Sequence, residues 1–429
     1  MIHASSQLPH PHSIGRRAVM ALLLSLTLIS GVAPTLAVPP PGADNARVIT
    51  TWNEIAVNRI TTNGTVTSPT NFNYFAFVHL AMYNAVVGIT GEYEMYRWDK
   101  HAPTGASPEA AAAAAAHRIM VNYFGTTPAI VADLDAKLAA SLALVPDGGA
   151  QDKGISYGVR AADNIIALRM NDGRNAAVTV PVADGPGDWS PTPPGNLPFS
   201  SAWLGGVTPI ALISTTQFAP GPPPAIGTTQ YNTDFAEVRD IGEVGSPRTQ
   251  FQSETAKFYS DAGIFPMQAA LRELATRRAL DIDDSARMFA AVDTAIADGA
   301  GTVWNAKLQY MWWRPVTAIR ASGLTTWTPY ITTPPYPEWP SGLCSVVGAT
   351  SRVLERLNGD GTVDLNITSG VTGAGPQPRH YTDRTTFTTE AVSARVWSGI
   401  HFRTADEVSI TIGTNVANYV LDHYFQPTN

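Results

Sequence analysis

The sequence has 429 residues, 44% of them hydrophobic and 15% charged, with a formal net charge of −7. That balance excludes a disordered chain and leaves room for one large domain or two ordinary ones. No basic stripe with interleaved aromatics breaks the acidic average, so nothing in the chain offers a footing for nucleic acid.

The first 37 residues read as an export signal. Arg16-Arg17 precede the apolar run Ala18 to Ile29, and Thr35-Leu36-Ala37 places small residues where a signal peptidase cuts. The paired arginines admit the twin-arginine route. A membrane anchor is the competing reading, disfavoured because the run is short for a span. No later stretch is expected to cross a bilayer. Cys344 is the only cysteine, so packing and not a disulfide must hold the fold, and it reads as a small buried hydrophobe.

Residues 38–250 are expected to form a helical region. Asn71 to Val87 is almost wholly apolar, as in a helix buried on most sides. Ser107-Pro108-Glu109 supplies an N-cap and a proline at the first helical position, and the alanine tract Ala110 to Ala116 continues a helix to about Tyr123. Further helices read over 129–144 and 154–171. From about 181 to 228 prolines and glycines crowd together with Trp189 and Trp203, which predicts an ordered excursion without regular elements.

Residues 251–429 form the second expected helical domain. Helical pattern resumes near Ser253, runs from Asp283 to Trp313 and returns over Ser345–Leu357. Thr404-Ala405-Asp406-Glu407 reads as a capping box opening the last helix. Strand alternation is nearly absent, so the fold class is all-α, two packed helical bundles.

Three segments in this second half carry chemistry. Lys307-x6-Arg314-Pro315 places two cations seven residues apart, on one helical face about 10 Å apart along the axis, with Pro315 ending the helix at Arg314. Pro340-Ser341-Gly342 precedes a helix whose first N–H groups lack partners, a ready oxyanion cradle to which Ser341 adds a hydroxyl. Gly342 would let an anion approach the backbone. Arg395 and His401 are six residues apart with Gly399 between them, so the chain is expected to break after Trp397 and bring the two together from separate elements.

Taken in this order, the segments resemble the signature of the vanadium-dependent haloperoxidases and type 2 phosphatidic acid phosphatases. Flanking stretches look like bacterial haloperoxidase-type members: Trp312-Trp313-Arg314-Pro315, Pro337-Glu338-Trp339 and Trp397-Ser398-Gly399-Ile400-His401-Phe402, with Val78-His79-Leu80-Ala81-Met82-Tyr83 in the first half. The resemblance implies a vanadium chloroperoxidase/phosphatidic acid phosphatase-like fold and a site for vanadate, or phosphate in its place. In that site Lys307, Arg314 and Arg395 would neutralise the oxyanion, while Ser341 and the Gly342 amide bind further oxygens. His401 would be the metal ligand, or the nucleophile of a phosphatase. Hydrogen peroxide and a halide or small organic substrate would be the partners, with Lys307 polarising the peroxide.

Leu343 departs from this pattern, because both families usually carry an acid–base histidine there. Loss of such a group costs about 10²–10⁴ in rate, unless Glu338 or His380 supplies the proton. Ala394 also stands where a serine commonly precedes the arginine, and four residues separate His401 from Asp406 where three are usual. Three readings follow: a haloperoxidase-like oxidoreductase, weakened or altered at Leu343; a phosphatase of the same fold; and an oxyanion-binding protein with little turnover. The first is preferred.

Overall fold

The computed structural model describes residues 45–62, 68–181, 184–260 and 264–428; the expected export signal lies outside them. Arg47–Val57 form helix α1, followed by one π turn, Asn58–Thr62. The apolar run becomes α2 (Asn71–Thr90), buried over nearly its whole circumference. Contrary to expectation, α2 is long and apolar enough to cross a membrane, but 89% of its apolar window is buried within the protein, as in a core helix. Ser107 caps α3 (Pro108–Phe124) by accepting from the Ala110 N–H, with Pro108 at the first position. Next come α4 (Pro128–Leu142) and α5 (Gly149–Leu168). The alanines let α5 lie against α3 at backbone distance: a Cβ at Gly158 would collide with the Ala111 carbonyl.

The proline-rich excursion is ordered by side-chain and backbone anchors, with a single 3-10 turn, Ala202–Gly206. Trp189 N–H donates to the Met311 carbonyl and Ser200 N–H to that of Pro335, while Gly221 O accepts from the Trp339 indole. These bonds stitch the excursion to the segments that carry the site.

The helices that the sequence did not mark include α1, α6 (Thr229–Ile241) and α8 (Ile264–Arg277). α6 buries only Tyr231, Asp234 and Val238, too thin a stripe to give a helical period. Between α6 and α8, α7 (Gln250–Phe258) begins three residues before the expected start, at a true capping box of Thr249 and Gln252.

The spine is α9 (Ile282–Tyr310), 29 residues long. α2 packs along it from one bundle; from the other come α11 (Gly342–Leu357) and α13 (Arg403–His423), with α12 (Arg384–Trp397) against α11 and α13. Between α9 and α11 lies the short α10 (Pro315–Ala321). The expected strand-poor character holds, apart from an antiparallel pair, β1 (Leu365–Ile367) and β2 (Arg379–Tyr381), with Leu365 opposite Tyr381. The capping box expected at Thr404 does not form. α13 begins at Arg403 after Phe402 with no side-chain cap; Thr404 Oγ1 instead accepts from Gln230, and Asp406 is buried.

Candidate active site

Lys307 and Arg314 do not share a helix face. α9 ends at Tyr310, Met311 turns into the left-handed region at φ 43°, and Arg314 is the extended N-cap residue of α10. Pro315 favours that extended geometry in the residue before it. Both side chains are fully buried. Lys307 Nζ donates to three carbonyls, Pro337 at 2.6 Å, Glu338 at 3.1 Å and Pro340 at 2.5 Å. An ammonium has three N–H donors, so Lys307 is spent on the turn before α11 and offers the site its field and no free hydrogen bond. Burial, then the Arg314 charge, pushes its pKa well below that of a free lysine, while three acceptors favour the charged form. Arg314 donates Nε to Tyr336 O at 2.8 Å and Nη1 to Ile400 O at 2.7 Å; its buried Nη2 has no partner. Burial lowers its pKa to about 10.

Ser341 is the N-cap residue of α11, yet its buried hydroxyl makes no cap bond and no well-aligned hydrogen bond, acting only weakly on the Asp406 carboxyl and Cys344 thiol beside it. The first amides of α11, beginning with Gly342, thus lack a side-chain cap, as an oxyanion cradle requires. A Cβ at Gly342 would meet the Trp304 indole at 3.3 Å, so packing against this aromatic wall is a second reason for a glycine there. Leu343 is half-buried and borders a small apolar cavity, about 30 Å³, with Tyr259, Met267, Val347 and Phe387. The Leu343 side chain itself can neither give nor take a proton.

Gly399, at φ 78°, ends the α12 segment in a turn so close to the Gly242 carbonyl that no Cβ fits. The chain breaks after Trp397 as expected and brings Arg395 and His401 to one place. Arg395 is 6% exposed; Nη1 donates to Tyr259 O at 3.2 Å and its buried Nε is unpartnered. Its charge acts on Lys307, Arg314, His401 and Asp406 alike, so the cationic tips converge. His401 is buried, with Nδ1 2.9 Å from Glu338 Oε1. Burial, then the charges of Arg314, Arg395 and Lys307, holds its pKa well below the ordinary histidine value, so the ring is neutral.

Two carboxyls share the pocket, and the sequence reading had not placed them in it as a pair. Glu338 is buried, accepts from Phe402 N–H at 3.0 Å through Oε1 and leaves Oε2 unpartnered; burial raises its pKa to about 8 against the pull of Arg314 and Lys307. Asp406 accepts from Cys344 Sγ at 3.3 Å and leaves Oδ2 unpartnered; burial raises it to about 7 against Ser341 and Arg395. The signal for Asp406 was its place one turn into α13. His380, the other candidate proton source, stands on exposed β2 bonded to Asn366, outside the site.

Unpartnered buried donors are rare and costly. Here three of them, Arg314 Nη2, Arg395 Nε and Ser341 Oγ, lie with an uncapped helix N-terminus beside a neutral imidazole. That donor set suits a tetrahedral oxyanion such as vanadate or phosphate.

Residues 287–429 match the family described as the VCPO second helical-bundle domain. Over 88 residues the chain is 33% identical to the vanadium chloroperoxidase of Curvularia inaequalis, covering 17% of this chain and 14% of that enzyme's length. Three solved structures share the fold. A bacterial vanadium-dependent iodoperoxidase has a TM-score of 0.74 at 23% identity, covering 90% of this chain and 98% of the other. Bacterial vanadium-dependent chloroperoxidase follows in its apo form, with a TM-score of 0.67 at 19% identity over 82% and 94% of the two chains. Its holo form gives 0.66 at 18% over 86% and 98%. The chain therefore has the all-α fold of the vanadium haloperoxidases, and its residues 287–429 are similar to that family's second helical-bundle domain.

Proposed function

We propose that this protein is a vanadate-dependent, haloperoxidase-like oxidoreductase that acts on hydrogen peroxide and a halide, and that it works after export from the cytoplasm. The observation that carries the proposal is the cluster of buried, unpartnered donors, Arg314 Nη2, Arg395 Nε and Ser341 Oγ, beside His401. Arg314 and Arg395 would hold oxygens of vanadate, Ser341 and the first α11 amides would bind others, and His401 would ligate the metal. Bound there, vanadate supplies a Lewis acid that activates peroxide toward halide attack. Lys307 contributes by fixing the Pro337–Pro340 turn and by its field, since its three donors are occupied.

Proton transfer is the weak part of this site. Leu343 faces apolar neighbours, so halide oxidation is expected to fall well below that of a relative with histidine there. The same pocket supports a second reading, phosphoester hydrolysis with His401 as nucleophile, because phosphate and vanadate share shape and charge. Bromide oxidation with added vanadate and peroxide tests the proposal: the activity should depend on vanadate and vanish in His401→Ala. Hydrolysis of an activated phosphoester blocked by vanadate, with no peroxide-dependent oxidation, would contradict it and favour the phosphatase.

A further inference from the structure

We propose that Glu338 is the positioning residue of this site: it fixes the proton of His401 on Nδ1 and leaves the Nε2 lone pair free for the bound oxyanion's central atom. Three contacts carry the assignment.

The first is the bond between His401 Nδ1 and Glu338 Oε1, 2.9 Å long and fully buried. One of the two atoms must bring the hydrogen. The second contact decides which, because Glu338 Oε1 also lies 3.0 Å from the Phe402 backbone N–H, which can only donate. A carbonyl-type carboxyl oxygen accepts far better than a hydroxyl oxygen, so with Oε1 accepting from Phe402 any proton on the carboxyl is favoured on Oε2, which has no partner. That arrangement makes Nδ1–H the donor to Oε1.

The third contact concerns Nε2. Arg314 Nη1 lies 3.0 Å from Nε2 and 3.5 Å from Nδ1. One atom comes that near to both ring nitrogens only from above the ring face. Along the Nε2 lone pair, the far nitrogen would be well beyond hydrogen-bond reach. Arg314 thus points one Nη1 N–H at the imidazole face, while Nη1 also donates to Ile400 O at 2.7 Å. The in-plane Nε2 lone pair keeps no donor from Arg314, and a cation on the ring face opposes protonation there.

Glu338 is set by the backbone on both sides. Its N–H donates to Trp312 O at 2.9 Å and its carbonyl accepts from Lys307. The Lys307 ammonium thereby anchors the turn that aims the carboxyl at His401. A carboxylate behind a ligating histidine orients the ring and raises its basicity, and removing such a partner typically costs about 10–100-fold in metal affinity.

What Nε2 does rests on the oxyanion reading of the site, whereas the tautomer does not, and one experiment separates them. Protein labelled with ¹⁵N-histidine and free of vanadate is examined by long-range ¹H–¹⁵N NMR, with His401 assigned by its loss in His401→Ala. The expected spectrum shows a neutral ring protonated at Nδ1 in the wild type and in Glu338→Gln, whose amide oxygen can accept the same two bonds. Glu338→Leu should lose that signature and bind vanadate about 10–100-fold more weakly, with Glu338→Gln close to the wild type. A wild-type ring protonated at Nε2, or a Glu338→Gln ring that changes tautomer, overturns the proposal even if Glu338→Leu fails to fold. The Nδ1–H form in a wild type that binds no vanadate upholds the positioning role and overturns the proposed function instead.

Discussion

Each bundle buries a histidine against a carboxylate, and the two pairs are finished differently. In the first, His79 on α2 bonds Asp293 at 2.5 Å through Nδ1 and Asn53 at 3.1 Å through Nε2. Gln268 donates to the other Asp293 oxygen, Asn53 donates to Gln268, and Arg272 donates to Asn53. No buried polar atom in that chain is left without a partner, and Phe75 and Phe289 flank the ring. In the second, His401 has one in-plane partner, and its neighbours Arg314, Arg395, Ser341, Glu338 and Asp406 all keep an unpartnered polar atom. A closed network of this kind specifies packing. An open one keeps its desolvation cost until a ligand removes it, so the lower satisfaction marks where binding occurs.

The largest effect expected from this contrast is at Leu343. Its apolar cavity gives an imidazole some room, and Leu343→His should raise vanadate-dependent bromide turnover by about 10²–10⁴-fold. An unchanged rate in a variant that still binds vanadate would place the proton route elsewhere, at Glu338 or Asp406. His79→Ala comes next. It leaves Asp293 buried without its main partner, so chemical denaturation should reveal a loss of about 3 kcal/mol or more, with vanadate affinity unaltered. Arg395→Ala should do the reverse. Truncating a buried charge that hydrogen-bonds its ligand costs about 2 kcal/mol or more, roughly 30-fold in vanadate affinity, while stability changes little because Arg395 makes a single bond to Tyr259 O.

A further expected effect is a pH slope. Burial raises the folded pKa of Asp406 to about 7 from its ordinary value of 3.8, so the folded state binds its proton more tightly than the unfolded state does. Its contribution to stability is full below the unfolded value and is lost as pH rises through about 7. In the ligand-free protein, Asp406→Asn should flatten this part of the stability profile measured between pH 4 and 8. A slope identical to that of the wild type would remove Asp406 as its source.

Broad apolar faces made several helices legible in the sequence, and a thin one hid α6, although α8 was missed while burying Met267, Ala270, Leu271, Leu274 and Ala275. α2, α3 and α9 each bury a wide face and follow the pattern closely, whereas α6 shows the core only three residues. The order of the three motifs located the pocket, because motif spacing survives without knowledge of tertiary contacts. Two features lay beyond it. The three-carbonyl trap around Lys307 depends on the backbone path of the Pro337–Pro340 turn, which no residue type encodes. The closure of Glu338 on His401 joins positions 63 residues apart in sequence, and a lone glutamate in a Pro-Glu-Trp-Pro run carries no period or spacing to announce it.

Isothermal titration of the purified protein with vanadate, repeated in Ser341→Ala, tests most directly whether the unpartnered donors form an oxyanion site. One vanadate should bind per chain, phosphate should displace it, and Ser341→Ala should bind more weakly while keeping the wild-type stability. A wild-type protein that takes up neither anion at millimolar concentration, though correctly folded, would contradict the account at its centre.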